Sequence, residues 1–290
     1  MSAEKYPSMT DLPLLGSETR GVRAWLLRQQ LGILAAMAVA AVGLLAFAVL
    51  AGEVTEGDTR AFDEHVLLML RQPSDPFDPL GPPWLRETMR DFTALGSTGV
   101  LALFTVAVVG FLVLTGKRHA AALVTVAVVT GVLLSQALKW GFARPRPGLV
   151  PRGPVHGQSF PSGHAMVSAV VYLTLGALLA RTQERRGAGL YLLVVSVVVT
   201  ALVGVSRVYL GVHWPTDVLA GWAGGAGWAF LCWLVMVWLQ QHRQSWKPVF
   251  GPGRRREAHA DAAATPEFDE FAQPARSHAD RATALSPPDA

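Results

Sequence analysis

Six stretches of the chain are long, apolar and nearly free of charge: residues 31–51, 93–115, 120–138, 164–180, 189–206 and 217–239. At about 1.5 Å of rise per residue, stretches of this length suit the roughly 30 Å of hydrocarbon in a bilayer, so each is read as a membrane-spanning helix. Ala46-Phe47-Ala48 has the form of a signal-peptidase site, but the first run is longer than the ~7–15 apolar residues of a signal peptide and is read as an uncleaved span. Between the first two spans, residues 52–91 are polar and acidic. There Phe62, Val66, Met69 and Leu70 recur at helical spacing opposite Asp63, Glu64 and Arg71. That pattern predicts a short amphipathic helix along the interface, which either caps the bundle or guides a lipid toward it. Residues 1–29 read as a flexible cytoplasmic N-terminal segment interrupted by Pro7, Pro13 and Gly16. Residues 243–290, rich in Ala, Pro and acids without an apolar period, read as a disordered cytoplasmic tail. The expected fold is all-α: a polytopic six-transmembrane-helix bundle over residues 30–242, with a short interfacial helix in its first outer loop.

Composition agrees with that reading. Of 290 residues, 51% are hydrophobic and only 16% charged, too apolar for an ordinary soluble domain. The formal net charge of +4 does not point to nucleic acid, because the cations sit in short inter-helix segments and do not line one face. The single cysteine, Cys232, excludes an intrachain disulfide and a cysteine-based metal site. Its place in an apolar run suits a small buried hydrophobe. Glycines at 221, 224, 225 and 227 suit close helix packing in lipid.

Charge sets the expected orientation. The N-terminal arginines 20, 23 and 28, the connector Lys117-Arg118-His119, the connector 181–186 and the exit segment with Arg243 and Lys247 are all basic. In a six-span topology they fall on one side, which the positive-inside rule makes cytoplasmic. Lys139, Arg144, Arg146, Arg152 and Arg207 then fall on the outer side, where topology does not call for cations, and they suggest an anion site.

Four of those outer cations, Lys139, Arg144, Arg146 and Arg207, fall in two of three polar clusters. The first runs Lys139-Trp-Gly-Phe-Ala-Arg144-Pro-Arg146-Pro147, the second is Pro161-Ser162-Gly163-His164, and the third is Ser206-Arg207-x5-His213-x3-Asp217. A histidine four residues before an aspartate can have one ring nitrogen held by the carboxylate and the other free as nucleophile or base. Gly163 lets the backbone approach an anion closely, and Pro161 stiffens the turn before it. Pro145, Pro147 and Pro151 keep the cation-rich loop from becoming helix. Two histidines, several cations, a hydroxyl and a glycine turn are a set suited to phosphoryl transfer. Trp140 and Trp214 flank the clusters as members of an aromatic interfacial belt, and Tyr209 reads as a packing residue. Arg144 and Arg152 are expected at lipid headgroups or in solvent, with substrate contact as the other option.

Written as Lys-x6-Arg-Pro, Pro-Ser-Gly-His and Ser-Arg-x5-His-x3-Asp, the clusters match every fixed position of the signature of the type 2 phosphatidic acid phosphatase superfamily, and the chain resembles its membrane lipid phosphate phosphatases. The resemblance implies that His213 attacks phosphorus and becomes a phosphohistidine, that Asp217 orients its ring, and that His164 protonates the leaving group and then activates water. It further implies that Lys139, Arg146, Ser162, Gly163 and Arg207 bind the phosphoryl oxygens. Phosphatidic acid, phosphatidylglycerol phosphate and undecaprenyl diphosphate are the substrates it makes plausible, with the bilayer as the only other partner. No cofactor is expected, and no metal, because Asp217 is the only acid in the three motifs. A lipid phosphotransferase could use the same residues. An anionic-lipid transporter would instead bury charges mid-bundle and show paired halves, and neither is seen. The sequence carries no signal of oligomeric state.

Overall fold

A computed structural model describes residues 15–149 and 157–245, with side chains described for 30–149 and 157–240. The chain order is α1 (Leu15–Glu56), α2 (Arg60–Leu68), β1 (Arg71–Gln72), β2 (Asp75–Pro79), α3 (Pro83–Ala94), α4 (Thr98–Leu114), α5 (Arg118–Phe142), α6 (Gly163–Arg181), α7 (Arg186–Tyr209) and α8 (Pro215–Ser245). Residues 1–14, the loop segment that holds Pro151 and Arg152, and the tail from 246 onward with its expected disorder lie outside the described residues. So do the side chains of Arg20, Arg23, Arg28 and Arg243.

Among the described residues, five helices are long and apolar enough to cross a bilayer, and the bent pair α3–α4 makes a sixth if taken as one span. The expected six-span bundle is therefore met, with differences. α1 begins at Leu15, inside the stretch expected to be a flexible lead-in. The expected straight span 93–115 is instead two helices meeting at 46° around Leu95–Ser97. The break has local causes: the Ser97 side chain accepts a hydrogen bond from the backbone N–H of Val100, which caps α4. The Tyr172 hydroxyl donates to the Leu95 carbonyl, and Thr93 and Ser206 share a hydroxyl–hydroxyl bond of 2.7 Å that ties α3 to α7.

The segment between α1 and α4 is more ordered than its composition suggests. Pro82-Pro83 starts α3, since proline suits the first helical turn where its missing N–H is not needed. β1 and β2 form a small antiparallel ribbon, Arg71 opposite Pro79. The amphipathic helix exists as α2, but facing the other way from the expected one. Asp63 and Leu67 are buried while Phe62, Leu68 and Met69 are about half exposed or more. Arg71, expected on the polar face of that helix, lies on β1, only 4% exposed, and donates to the Tyr209 carbonyl at the end of α7. α2 thus caps the bundle with Asp63 and Leu67 inward and Glu64 outward.

Helix crossings depend on small residues. A Cβ on Gly225 would come within 2.4 Å of the Met166 carbonyl oxygen and 2.8 Å of the Ala169 Cβ, so the α6–α8 crossing requires glycine there. Gly221 also faces α6, and Gly224 and Gly227 face α1. The largest buried cluster, with Leu101, Val124, Ala127, Val128, Val170, Val171 and Leu175, joins α4, α5 and α6. Phe160, fully buried, packs edge-on against Phe142 at 4.9 Å and fixes the loop that enters α6. Outward-facing Leu and Val dominate α1, α4 and α7, as expected where lipid is the solvent.

Candidate active site

The three motif clusters meet at one end of the bundle. Each cluster arrives by a helix terminus. α5 ends at Ala143, whose φ of 46° is left-handed, and Pro145 prevents the helix from resuming, so the chain turns inward with Arg144 and Arg146. α6 begins at Gly163 after an extended Ser162, leaving the first N–H groups of the helix without intrahelical partners. α7 ends before Gly211, at φ 73°, where a Cβ would lie 2.3 Å from Arg71 Nη2 and 2.9 Å from the Leu149 carbonyl oxygen. Glycine at 211 therefore permits the turn that brings His213 back toward α6. The Ser162 N–H donates to the Asp217 carbonyl at 2.9 Å, which joins the second cluster to the third.

His213 is buried between two partners. Its Nδ1 lies 3.3 Å from Asp217 Oδ2, and its Nε2 lies 3.1 Å from Arg146 Nη1. A guanidinium only donates, so Nε2 is the acceptor and the ring proton sits on Nδ1, toward the carboxylate. Burial, then the charges of Arg207, Arg146 and Lys139, hold the His213 pKa well below 6.5. The imidazole is thus neutral at neutral pH, with a lone pair at Nε2. Burial likewise lowers Arg146, against the opposing pull of Asp217.

A cavity of about 420 Å³ opens beside this ring. Its polar end carries Lys139, Arg146, Gly163, His164, Arg207 and His213, and its apolar arm carries Leu101, Val128, Val132 and Val167. Seven of the eight residues named from sequence come to this place: six line the cavity and Asp217 stands behind His213. The eighth, Ser162, is buried at the start of α6, and its hydroxyl has no hydrogen-bond partner among the described residues; Arg207 Nε is likewise unpartnered. Buried donors without a protein partner beside a cluster of cations suit an anionic ligand. Lys139 Nζ and Arg146 meanwhile donate to loop carbonyls at Gln158, Gly157 and Val212, which hold them in place.

Other expectations change. Arg144 turns into the protein: its Nη1 donates to Asp217 Oδ1 (2.8 Å) and Thr216 Oγ1 (2.9 Å), and its Nη2 to Asp63 Oδ2 (2.7 Å) and Thr59 Oγ1 (3.4 Å). All its terminal N–H groups are committed. Trp214 is partly buried, with its Nε1–H on the Pro145 carbonyl, whereas Trp140 is 82% exposed. Ser206 bonds Thr93 and the Val203 carbonyl and holds helices together. Asp63, expected on the polar face of an interfacial helix, is instead buried against Arg144 and Thr216. A wider groove of about 580 Å³ between α1, α6, α7 and α8 lies at the other end, with Arg181 stacked on Trp233 at 4.9 Å and none of the motif residues.

Known proteins resemble this chain in sequence and fold. Residues 99–241 match the PAP2 superfamily. Phosphatidylglycerophosphatase B of Bacillus subtilis (strain 168) is 31% identical over 189 residues, which cover 62% of this chain and 86% of that protein. The chain belongs to the PAP2 superfamily. A crystal structure of a transmembrane PAP2 type phosphatidylglycerolphosphate phosphatase from Bacillus subtilis aligns with a TM-score of 0.59 and 28% identity, covering 73% of this chain and 98% of that one. An undecaprenyl-diphosphatase of Sulfolobus acidocaldarius is 34% identical over 103 residues, 36% of this chain and 45% of that protein. The chain is a multi-pass membrane phosphatase of the PAP2 type, as its motifs led one to expect.

Proposed function

We propose that the protein hydrolyses a lipid phosphate or diphosphate through a phosphohistidine at His213, on the extracytoplasmic face of the membrane. The observation that carries this reading is the orientation of His213, with Nδ1 on Asp217 and Nε2 on a cation-lined cavity that also holds His164. In the first step Arg146 turns its Nη1–H from His213 Nε2 to a phosphoryl oxygen, the freed Nε2 lone pair forms a bond to phosphorus while the bond to the leaving oxygen breaks, and His164 gives that oxygen its proton. Asp217 balances the positive ring that results. In the second step His164 takes a proton from water, the hydroxide attacks phosphorus, the N–P bond breaks and orthophosphate leaves. Lys139, Arg146, Arg207, Ser162 and the Gly163 N–H hold the phosphoryl oxygens throughout. The cations supply the charge neutralisation that a metal provides elsewhere, so the reaction proceeds without one.

The apolar arm of the cavity supports a lipid substrate, since it offers a tail an apolar place beside the phosphate cradle. The names of the relatives point to phosphatidylglycerol phosphate and undecaprenyl diphosphate, and phosphatidic acid shares their chemistry. Sidedness follows from charge: the connectors holding Lys117 and Arg185 lie at the helix ends opposite the motifs, and the positive-inside rule makes those ends cytoplasmic. Both termini are then cytoplasmic.

The test is phosphate release by purified protein from those three lipids in detergent, with EDTA and with no added acceptor. Release that persists in EDTA and is abolished in His213→Ala and His164→Ala is expected. Release only on addition of an acceptor lipid would mean a phosphotransferase, and magnesium-reversible loss in EDTA would overturn the metal-free mechanism. For sidedness, Ser74→Cys should react with an impermeant maleimide in intact cells and Gln183→Cys should not; the reverse pattern would invert the topology.

A further inference from the structure

The buried pair behind the nucleophile contains one more acid than the motifs account for. Asp63, fully buried on α2 and outside the region that matches the superfamily, accepts from the Thr216 N–H through Oδ1 (2.9 Å) and from the Thr216 hydroxyl (2.6 Å) and Arg144 Nη2 (2.7 Å) through Oδ2. Thr216 stands in the first turn of α8, one residue before Asp217. Asp217, also fully buried, accepts from Arg144 Nη1 at 2.8 Å through Oδ1, and from the Trp214 N–H (2.9 Å) and His213 Nδ1 (3.3 Å) through Oδ2. One guanidinium therefore bridges two carboxylates, and only one carboxylate oxygen faces the imidazole.

Charge counting gives this geometry a purpose. Asp217 and Arg144 alone would sum to zero, and a buried carboxylate already neutralised by arginine does little for a developing imidazolium. With Asp63 included the three groups sum to minus one. That charge is balanced when His213 becomes positive on attacking phosphorus. The hydrogen bonds also fix α8's first turn to α2, so the plane of the Asp217 carboxylate is set from outside its own helix.

We propose that Asp63 and Arg144 are positioning residues for the nucleophile: Asp63 occupies Arg144 so that Asp217 keeps its negative charge for His213. This rests on the reading of His213 as the nucleophile. Asp63 acts through two intermediaries and never touches phosphate, so its loss reduces kcat and leaves KM within about threefold.

The decisive test is a set of variants measured for kcat and KM in detergent, each first checked for membrane insertion and monodispersity. Asp63→Asn, which leaves the network neutral, should lower kcat about 10- to 100-fold. Arg144→Met leaves two unpaired carboxylates and should lower it as well. The double variant Asp63→Asn with Arg144→Met restores a net charge of minus one and should recover kcat above either single variant. Two purely structural residues would instead combine to a larger loss, and that outcome overturns the proposal. Should Arg144→Met fail to insert, Asp63→Asn is measured in an Asp217→Asn background. No further loss of kcat there supports the relay, and an undiminished 10- to 100-fold loss refutes it. Turnover surviving in His213→Ala would instead remove the underlying reading. An inert His213→Ala beside a wild-type kcat in Asp63→Asn would remove this proposal alone.

Discussion

Replacing Asp217 by asparagine removes one charge from a fully buried site and leaves its shape almost unchanged. Its Oδ2 lies 3.3 Å from His213 Nδ1. At an effective dielectric of about 20, a carboxylate and an imidazolium at that separation attract by about 5 kcal/mol. The asparagine carbonyl can still accept a hydrogen bond, which retains part of this, so the barrier to forming the phosphohistidine should rise by about 3–5 kcal/mol. At about 1.4 kcal/mol per tenfold, kcat then falls by roughly 10²- to 4×10³-fold. KM should scarcely change, because Lys139, Arg146 and Arg207 still line the phosphate end of the cavity. Folding should survive, because Arg144 keeps Asp63 as a buried partner. The assay is steady-state phosphate release from a lipid phosphate in detergent, with the thermal transition followed alongside. A fall in kcat below threefold, or a change confined to KM, would refute the idea that Asp217 acts by stabilising the charged ring.

Two further expectations concern pH and packing. The lowered pKa of His213 means that it stays neutral, and nucleophilic, down to pH values below 6.5, so the acid limb of kcat/KM, corrected for the substrate's own ionisation, should lie below 6.5. Because the unfolded chain takes up that proton first, the contribution of His213 to stability is complete above pH 6.5 and is lost as pH falls toward the lowered value; an acid limb above 6.5 would contradict the assignment. Gly225→Leu should separate α6 from α8, since even a Cβ there meets the Met166 carbonyl oxygen at 2.4 Å. A thermal transition lowered by several degrees in detergent is expected, and an unchanged one would mean that the crossing is looser than described.

What could be read from the sequence, and what could not, divides along a physical line. Span lengths and motif spacings are local, so α5, α6, α7 and α8 and the residues at their ends were legible: Lys139 and His164 fall on the last and first turns of helices that the apolar runs delimit. Pairing between distant residues is not local. Asp63 looked like the wet face of an interfacial helix because its apolar neighbours were assumed to be the buried ones. In a membrane protein apolar side chains can face lipid, and the inward face of α2 is the one that carries the acid. Arg144 looked spare because it stands outside the signature, yet its partners lie 73 and 81 residues away. The bend at Leu95–Ser97 left one readable trace, a Gly-Ser-Thr step inside an apolar run, which hydropathy averages away. The β1–β2 ribbon left another in Gln72-Pro73-Ser74-Asp75, a turn sequence between two short extended pieces.

The central claim is that His213 carries the phosphoryl group between the two steps. It is tested most directly by mixing the protein with a lipid labelled in its phosphate, quenching within milliseconds under alkaline denaturing conditions that spare phosphohistidine, and measuring label bound to protein. Wild type should yield a phosphoprotein whose label is lost in acid, and His213→Ala should yield none. Label of equal amount in His213→Ala, or label on a peptide that lacks His213, would contradict the account.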